Sequence, residues 1–121
     1  EATRELNSET MLIAMVETPA AIESIDEIAS VDGIDVIMIG TNDLAMASGC
    51  PQDFGNPKIQ KFYEKTALAC KKYNKWLGSG GVKDEKAAKN YIEMGANFFL
   101  AGQDIGFLLS ASKDRVDRLK S

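Results

Sequence analysis

Four short apolar runs, each followed by a glycine or an acid and then by helical spacing, constrain this chain most. They read as strands over residues 11–16, 35–40, 75–78 and 97–102. None has strict apolar–polar alternation, as expected when both faces of a strand are buried. After the first run, Thr18 and Pro19 form a helix start, and Ala21, Ile22, Ile25, Ile28 and Ala29 make one apolar stripe closed by Asp32-Gly33. After the second, Gly49, Pro51, Gly55 and Pro57 predict a loop. Asn56-Pro57 then opens a helix with Ile59, Phe62, Tyr63, Thr66, Ala69, Cys70 and Tyr73 on one face. Lys58, Lys61, Lys65, Lys71 and Lys72 lie mostly on the other, which reads as a solvated face. Asp84 caps a third helix carrying Ala87, Ala88, Tyr91, Ile92 and Met94, ended by Gly95. A last amphipathic helix carries Ile105, Leu108, Leu109, Val116 and Leu119.

Strand and helix therefore alternate four times. That order implies a parallel sheet with right-handed crossovers. Four such units in 121 residues are half of an eight-unit barrel, whose usual size is about 250 residues. The expected fold is α/β, the C-terminal half of a TIM-type (β/α)8 barrel. Residues 1–121 form one segment, with 1–10 a loop or the tail of an earlier helix and 11–121 the four units. The chain starts Glu-Ala-Thr-Arg rather than with Met, which suggests a fragment or a processed product.

A net charge of −4 and a pI near 4.8 argue against nucleic-acid or anionic-membrane partners. No apolar run approaches the ~20 residues of a membrane span. Cys50 and Cys70 lack metal-type spacing and read as free thiols of a cytoplasmic protein. There is no histidine, so this chain supplies neither a histidine-based triad nor a histidine metal ligand.

Two acids sit where parallel strands end. Glu17 follows the first run, and Asp43 follows Gly40-Thr41-Asn42 after the second. If those strands pair, about 4.8 Å apart, the two carboxylates emerge together. Like charges that close repel unless a cation lies between them, and a hard divalent ion takes oxygen ligands. Two protein ligands leave room for water and a chelating substrate, the layout of a catalytic ion. On spacing alone a plainer reading stays open: Glu17 as a solvated strand-end acid beside a helix N-terminus, and Asp43 as an Asx-turn or cap residue. Asp104 reads as a helix cap rather than a third ligand, and Lys83, beside Asp84 and Glu85, as a solvated lysine rather than a Schiff-base lysine.

Met15-Val-Glu-Thr-Pro-Ala-Ala21, Val31-Asp-Gly-Ile-Asp-Val-Ile-Met-Ile-Gly-Thr-Asn-Asp-Leu-Ala45 and Gly95-Ala-Asn-Phe-Phe-Leu-Ala-Gly102 resemble the C-terminal half of the HpcH/HpaI aldolase family. Those are class II, metal-dependent pyruvate aldolases of the phosphoenolpyruvate/pyruvate barrel superfamily. The resemblance runs from about Met11 to the end. It implies that Glu17 and Asp43 bind a divalent ion, Mg2+ or Mn2+ first, with Co2+ or Zn2+ also compatible. It implies cleavage of 4-hydroxy-2-oxo acids to pyruvate and an aldehyde through a metal-stabilised enolate. Backbone N–H groups from Thr41 through Asn42 and Asp43 to Leu44 are the implied contacts of the substrate carboxylate.

The chain departs from the family pattern at Met15, where many members have Gln, and at Thr41, Asn42 and Ala45, where many have Pro, Ala and Ser. Gly40-Thr-Asn-Asp-Leu44 also resembles phosphoenolpyruvate-utilising enzymes of the same superfamily. The family's general-base histidine and substrate-binding arginine come from the first half of the barrel. Arg4, Arg115 and Arg118 match neither position. The resemblance therefore implies a partner, the missing N-terminal half, and an isolated chain with little activity. It also implies a homo-oligomer in which the helix over residues 105–120 packs on a neighbouring subunit through Leu108, Leu109, Val116 and Leu119. The competing expectations are a half-barrel that only binds or assembles, and another lyase of the superfamily.

Overall fold

The computed structural model describes residues 7–120. Its elements are β1 (Ile13–Val16), α1 (Pro19–Glu23), α2 (Ile25–Ala29), β2 (Val36–Gly40), α3 (Thr41–Ala47), α4 (Pro57–Lys72), β3 (Trp76–Gly80), α5 (Glu85–Glu93), β4 (Ala96–Phe99) and α6 (Asp104–Lys120). The strands form one sheet in the order β1-β2-β3-β4, and each neighbouring pair is parallel. This is the consecutive, all-parallel order of half a (β/α)8 barrel. Of residues 1–10, residues 7–9 are helical; 1–6, including Arg4, lie outside the described residues.

Local chemistry starts the helices. The Thr18 side chain accepts from the Ala21 N–H, with Pro19 at the first helical position. The Asn56 side chain accepts from the Lys58 N–H ahead of Pro57, and Asp84 accepts from the Ala87 N–H. Each such cap is worth about 1 kcal/mol.

Two sequence expectations are corrected and a third is extended. The first helix is two short helices broken at Ser24 (φ −89°, ψ 17°); the Glu23 carbonyl at the break accepts from Lys65 Nζ at 3.1 Å. Thr41, Asn42 and Asp43, which read as turn formers, are instead the first turn of α3, and the expected loop follows that helix. The lysine face of α4 is exposed but not idle. Lys58 donates to the Ser48 carbonyl, and Lys72 meets the Asp26 carboxylate at 2.8 Å. With Lys65 and with Lys75, which donates to the Val31 carbonyl, these lysines tie α4 and its C-terminal turn to the α1–α2 unit and to the end of α3.

The sheet has two unlike faces. Residues in register point the same way, and sides alternate along a strand. Val16, Ile37, Ile39 and Leu77 face the helices and join Ile22, Ile25, Leu44, Ile59 and Tyr91 in the core. Each fully buried Ile or Leu contributes roughly 1.5–3 kcal/mol. The opposite face carries the registered rows Ile13–Val36–Trp76 and Met15–Met38–Gly78–Phe98. Its centre is covered, with Val36 and Met38 buried, but its margins are open: Met15 is 52 % exposed and Trp76 55 %. The inner face is therefore open to water only at its edges. The centre closes because Leu100 folds over Gly80, and Gly80 in turn sits against the Met38 sulfur.

The last helix stands apart. No residue of α6 is buried, and Phe107, Leu108, Leu109 and Leu119 are all at least 60 % exposed. Phe107 lies over the Gly102 backbone. Asp104, expected as a helix cap, is instead the first residue of α6, where its charge suits the helix start, and its carboxylate accepts from the Ile105 N–H.

Both cysteines are free thiols, Cys50 half-buried and Cys70 buried. Burial pushes the Cys70 thiol from 9.0 up to about 11. A raised thiol pKa means the folded state holds its proton longer than the unfolded state. The stability it contributes is therefore full below about pH 9 and is lost as pH rises toward 11. Denaturation midpoints measured from pH 8 to 11 should fall more for the unaltered chain than for Cys70→Ala; equal slopes would remove Cys70 from the alkaline response.

Candidate functional site at the carboxyl end of the sheet

Glycines clear the upper inner face. Gly40 and Gly80 are register partners at the carboxyl ends of β2 and β3, and they fall on the same side as Met38 and Gly78. No side chain rises from this row on either strand. Because Val16 pairs with Ile39, the next residue, Glu17, comes level with Gly40. Its side chain lies across that glycine. A Cβ built on Gly40 would stand 2.6 Å from Glu17 Oε1 and 2.7 Å from its Cγ. Gly40 has an ordinary φ of −78°, so glycine is required here for space and not for backbone conformation.

Asp43 lies three residues beyond Gly40, in the first turn of α3, and is the one acid there. The two acids are thus delivered to the same end of the sheet by adjacent parallel strands. Glu17 is half-buried and Asp43 exposed. Leu44 and Ala45, fully buried, fix the inner side of α3, so Leu44 can offer a ligand only its backbone. Asn42 is exposed and lines a cleft of about 450 Å³ with Gln52, Phe54, Gly81, Lys83 and Asp84. Gly81 (φ +77°) makes close approach possible there: its Cβ position lies 3.4 Å from the Asn42 backbone nitrogen. A cleft of about 630 Å³ opens among Leu68, Leu77 and Met94, but by Lys75 and Gly95 it belongs to the amino ends of the strands.

Beneath the site the polar groups are paired. Tyr63 hydrogen-bonds Thr41 Oγ1 at 2.6 Å and Ser79 Oγ at 2.7 Å. Burial raises the Tyr63 pKa, outweighing the opposing hydrogen bonds from Ser79 and Thr41, so the phenol keeps its proton. Its ring stacks on Tyr91 with centroids 3.7 Å apart and planes 6° from parallel. Ring quadrupoles favour offset or edge-on contact, so packing and the hydroxyl anchors hold this pair; Tyr91 donates to the Phe54 carbonyl. Burial also raises the Tyr91 pKa, ahead of its neighbours' charges. None of this network was readable as function in the sequence, where Tyr63 and Tyr91 look like core positions.

The donor set is two carboxylates beside a cradle that a Cβ would fill. Among the described residues, no group of three or more His, Cys, Asp and Glu side chains is placed to hold a metal ion. Oxygen-only donors, two in number, fit a hard divalent cation that keeps positions for water and substrate. Arg115 and Arg118 lie on α6 and are exposed. Lys83 is exposed and supplies no desolvated amine.

The chain is similar to known proteins over nearly its whole length. A family described as HpcH/HpaI aldolase/citrate lyase matches residues 1–111. A 2-keto-3-deoxy-L-rhamnonate aldolase of Klebsiella pneumoniae is 35% identical over 117 residues, which cover 97% of this chain and 43% of that protein. A 5-keto-4-deoxy-D-glucarate aldolase of the same organism is 29% identical, over 94% of this chain and 44% of that one. The crystal structure of an HpcH/HpaI aldolase from Desulfitobacterium hafniense superposes with a TM-score of 0.82 at 28% identity, covering 99% of this chain and 46% of its own. A structure of the citrate synthase SbnG aligns with a TM-score of 0.79 at 26% identity, covering 98% of this chain and 48% of its own. The chain thus spans less than half the length of these relatives.

Gly40→Ala isolates the cradle. Its backbone accepts alanine, so the fold should survive with a denaturation midpoint within a few degrees of the unaltered chain, while the new methyl drives the Glu17 carboxylate aside. Divalent-ion affinity should drop by about 10-fold or more. Unchanged affinity with an intact fold would show that the placement of Glu17 over Gly40 does not matter.

Proposed function

The chain belongs to the HpcH/HpaI aldolase/citrate lyase family, and on that premise we propose that it is the ion-binding half of a class II pyruvate aldolase. The reaction is cleavage of a 4-hydroxy-2-oxo acid to pyruvate and an aldehyde. The observation that carries this reading is the Glu17 carboxylate laid over Gly40, one strand away from the segment leading to Asp43. Relatives whose names specify keto-deoxy sugar acids support the substrate class.

Glu17 and Asp43 would hold the ion, Mg2+ or Mn2+ by their all-oxygen chemistry. Bound there, a divalent cation stabilises negative charge developing on the keto oxygen of the substrate. The chain's own residues do the rest of the positioning. Glu17 keeps its place because glycine at position 40 leaves it room to cross the strand end. Asp43 is carried on a helix whose inner side is locked by Leu44 and Ala45. Backbone N–H groups from Thr41 through Asn42 and Asp43 to Leu44 stand at the site as donors for the substrate carboxylate, at a helix start where negative charge is favoured. Buried Met38 beneath the glycine row forms an apolar floor that excludes water on that side.

Proton transfer needs a group this chain does not have. It contains no histidine, and its described arginines lie on α6. We assign the general base and the arginine to a complementary N-terminal half, which would also cover the open margins of β1 and β4 and the inner residues Ile13, Met15, Trp76 and Leu100. The unpartnered apolar side of α6 is assigned to a neighbouring subunit in a homo-oligomer. The lack of a histidine is also what a half-barrel that only binds or assembles would have, and the assays below separate the two.

The 121-residue chain by itself should show no measurable aldol cleavage. A complete barrel containing it should cleave 4-hydroxy-2-oxo acids in a divalent-ion-dependent way. In that barrel, Asp43→Asn should lower kcat/KM by roughly 100- to 1,000-fold, the kinetic equivalent of several kcal/mol of lost charge stabilisation. Full activity in the Asp43→Asn barrel would refute the assignment, as would turnover by the isolated chain. Assembly has its own check. Leu108→Asp with Leu119→Asp should reduce the sedimentation coefficient from that of an oligomer to that of a smaller species, and an unaltered coefficient would exclude α6 from the interface.

A further inference from the structure

Three fully buried hydroxyls, Ser79, Tyr63 and Thr41, connect α4 to the start of α3. Each hydroxyl has one proton to donate. Thr41 Oγ1 donates to the Ile39 carbonyl at the long distance of 3.4 Å. Tyr63 Oη shares a hydrogen bond with Thr41 Oγ1 at 2.6 Å and another with Ser79 Oγ at 2.7 Å. The series links β3 through α4 to the carboxyl end of β2.

This series ends two residues before Asp43. Thr41 opens α3, a helix of seven residues whose start has no side-chain cap hydrogen bond. An uncapped short helix has little local reason to keep one orientation. Its inner side is held by buried Leu44 and Ala45, and its first residue by Tyr63. Tyr63 is itself fixed by the stacked Tyr91 ring, and Tyr91 by the Phe54 carbonyl.

We infer that the buried hydroxyl chain Ser79–Tyr63–Thr41 is a positioning device for the Asp43 carboxylate. Tyr63 touches neither ion nor substrate. It sets where α3 begins, and so where Asp43 points. The inference rests on the reading of Asp43 as an ion ligand. It makes α4, which contributes no ligand, a determinant of ion affinity. Removing the phenol oxygen leaves Thr41 and Ser79 buried without their partner and frees the first turn of α3 to shift.

The test is Mn2+ affinity in the presence of pyruvate, followed by the electron paramagnetic resonance of the free ion, with the complete barrel and with thermal denaturation of every variant. Tyr63→Phe, which keeps the ring stack, and Thr41→Val should each weaken binding by about 10- to 100-fold. The double variant should be no worse than the weaker single, because both cut the same chain. Thr41→Ser should recover most of what Thr41→Val loses. Ile59→Val, a core change on the same helix, should leave affinity unaltered. If Tyr63→Phe fails to fold, Thr41→Val and Ser79→Ala carry the comparison. Affinities within twofold of the unaltered protein in the Thr41 and Tyr63 variants would overturn the inference while Asp43→Asn still abolishes binding. So would an equal loss in Ile59→Val. Binding indifferent to Asp43→Asn would instead bring down the ion-ligand reading itself, and this inference with it.

Discussion

The parallel pairing of β1 with β2 is the constraint on which the site depends. With Val16 opposite Ile39, Glu17 comes level with Gly40 and on the same side as the glycine row. Because side chains alternate with a period of two, a slip of one residue would turn Glu17 toward the helices. It would also place Ile37 and Ile39 opposite the wrong neighbours. The hydrophobic core, built from Val16, Ile37, Ile39 and Leu77 against the helices, therefore locks the position of a carboxylate that contributes nothing to it.

The two faces of the sheet serve different ends. The helix-facing side is closed and almost wholly apolar, with the Tyr63 hydroxyl cluster as its polar exception. The opposite side is closed only at its centre. Its margins, and the whole of α6, expose apolar side chains that folded single-copy proteins ordinarily cover. Sheet edges at β1 and β4 add unpaired backbone groups. The chain spans less than half the length of its relatives, and these surfaces are open in it.

Much of this was legible in the residues. Alternating buried-type runs and capped helical stripes specify four βα units, and the strand-end positions of Glu17 and Asp43 follow from the residues beside them. What was not legible depends on contacts distant in sequence. Gly40-Thr-Asn-Asp reads as a turn because these are turn formers; it is helix because Thr41 is buried against Tyr63, 22 residues away. The break at Ser24 is invisible in the apolar stripe, since both short helices bury the same side and the freed Glu23 carbonyl is satisfied by Lys65, 42 positions on. The lysine spacing on α4 is that of any solvated face, and only the fold reveals which carbonyls lie within reach. The need for glycine at position 40 had a signal, since a strand-end glycine beside a strand-end acid leaves room for that acid to cross.

The central claim is that Glu17 and Asp43 share one divalent ion. It is tested most directly by anomalous diffraction from crystals of the complete barrel soaked with Mn2+ and pyruvate. The expected result is one strong peak above the Gly40–Gly80 row, with an oxygen of each carboxylate about 2.0–2.3 Å away. A peak bound elsewhere, or none at saturating ion, would contradict it.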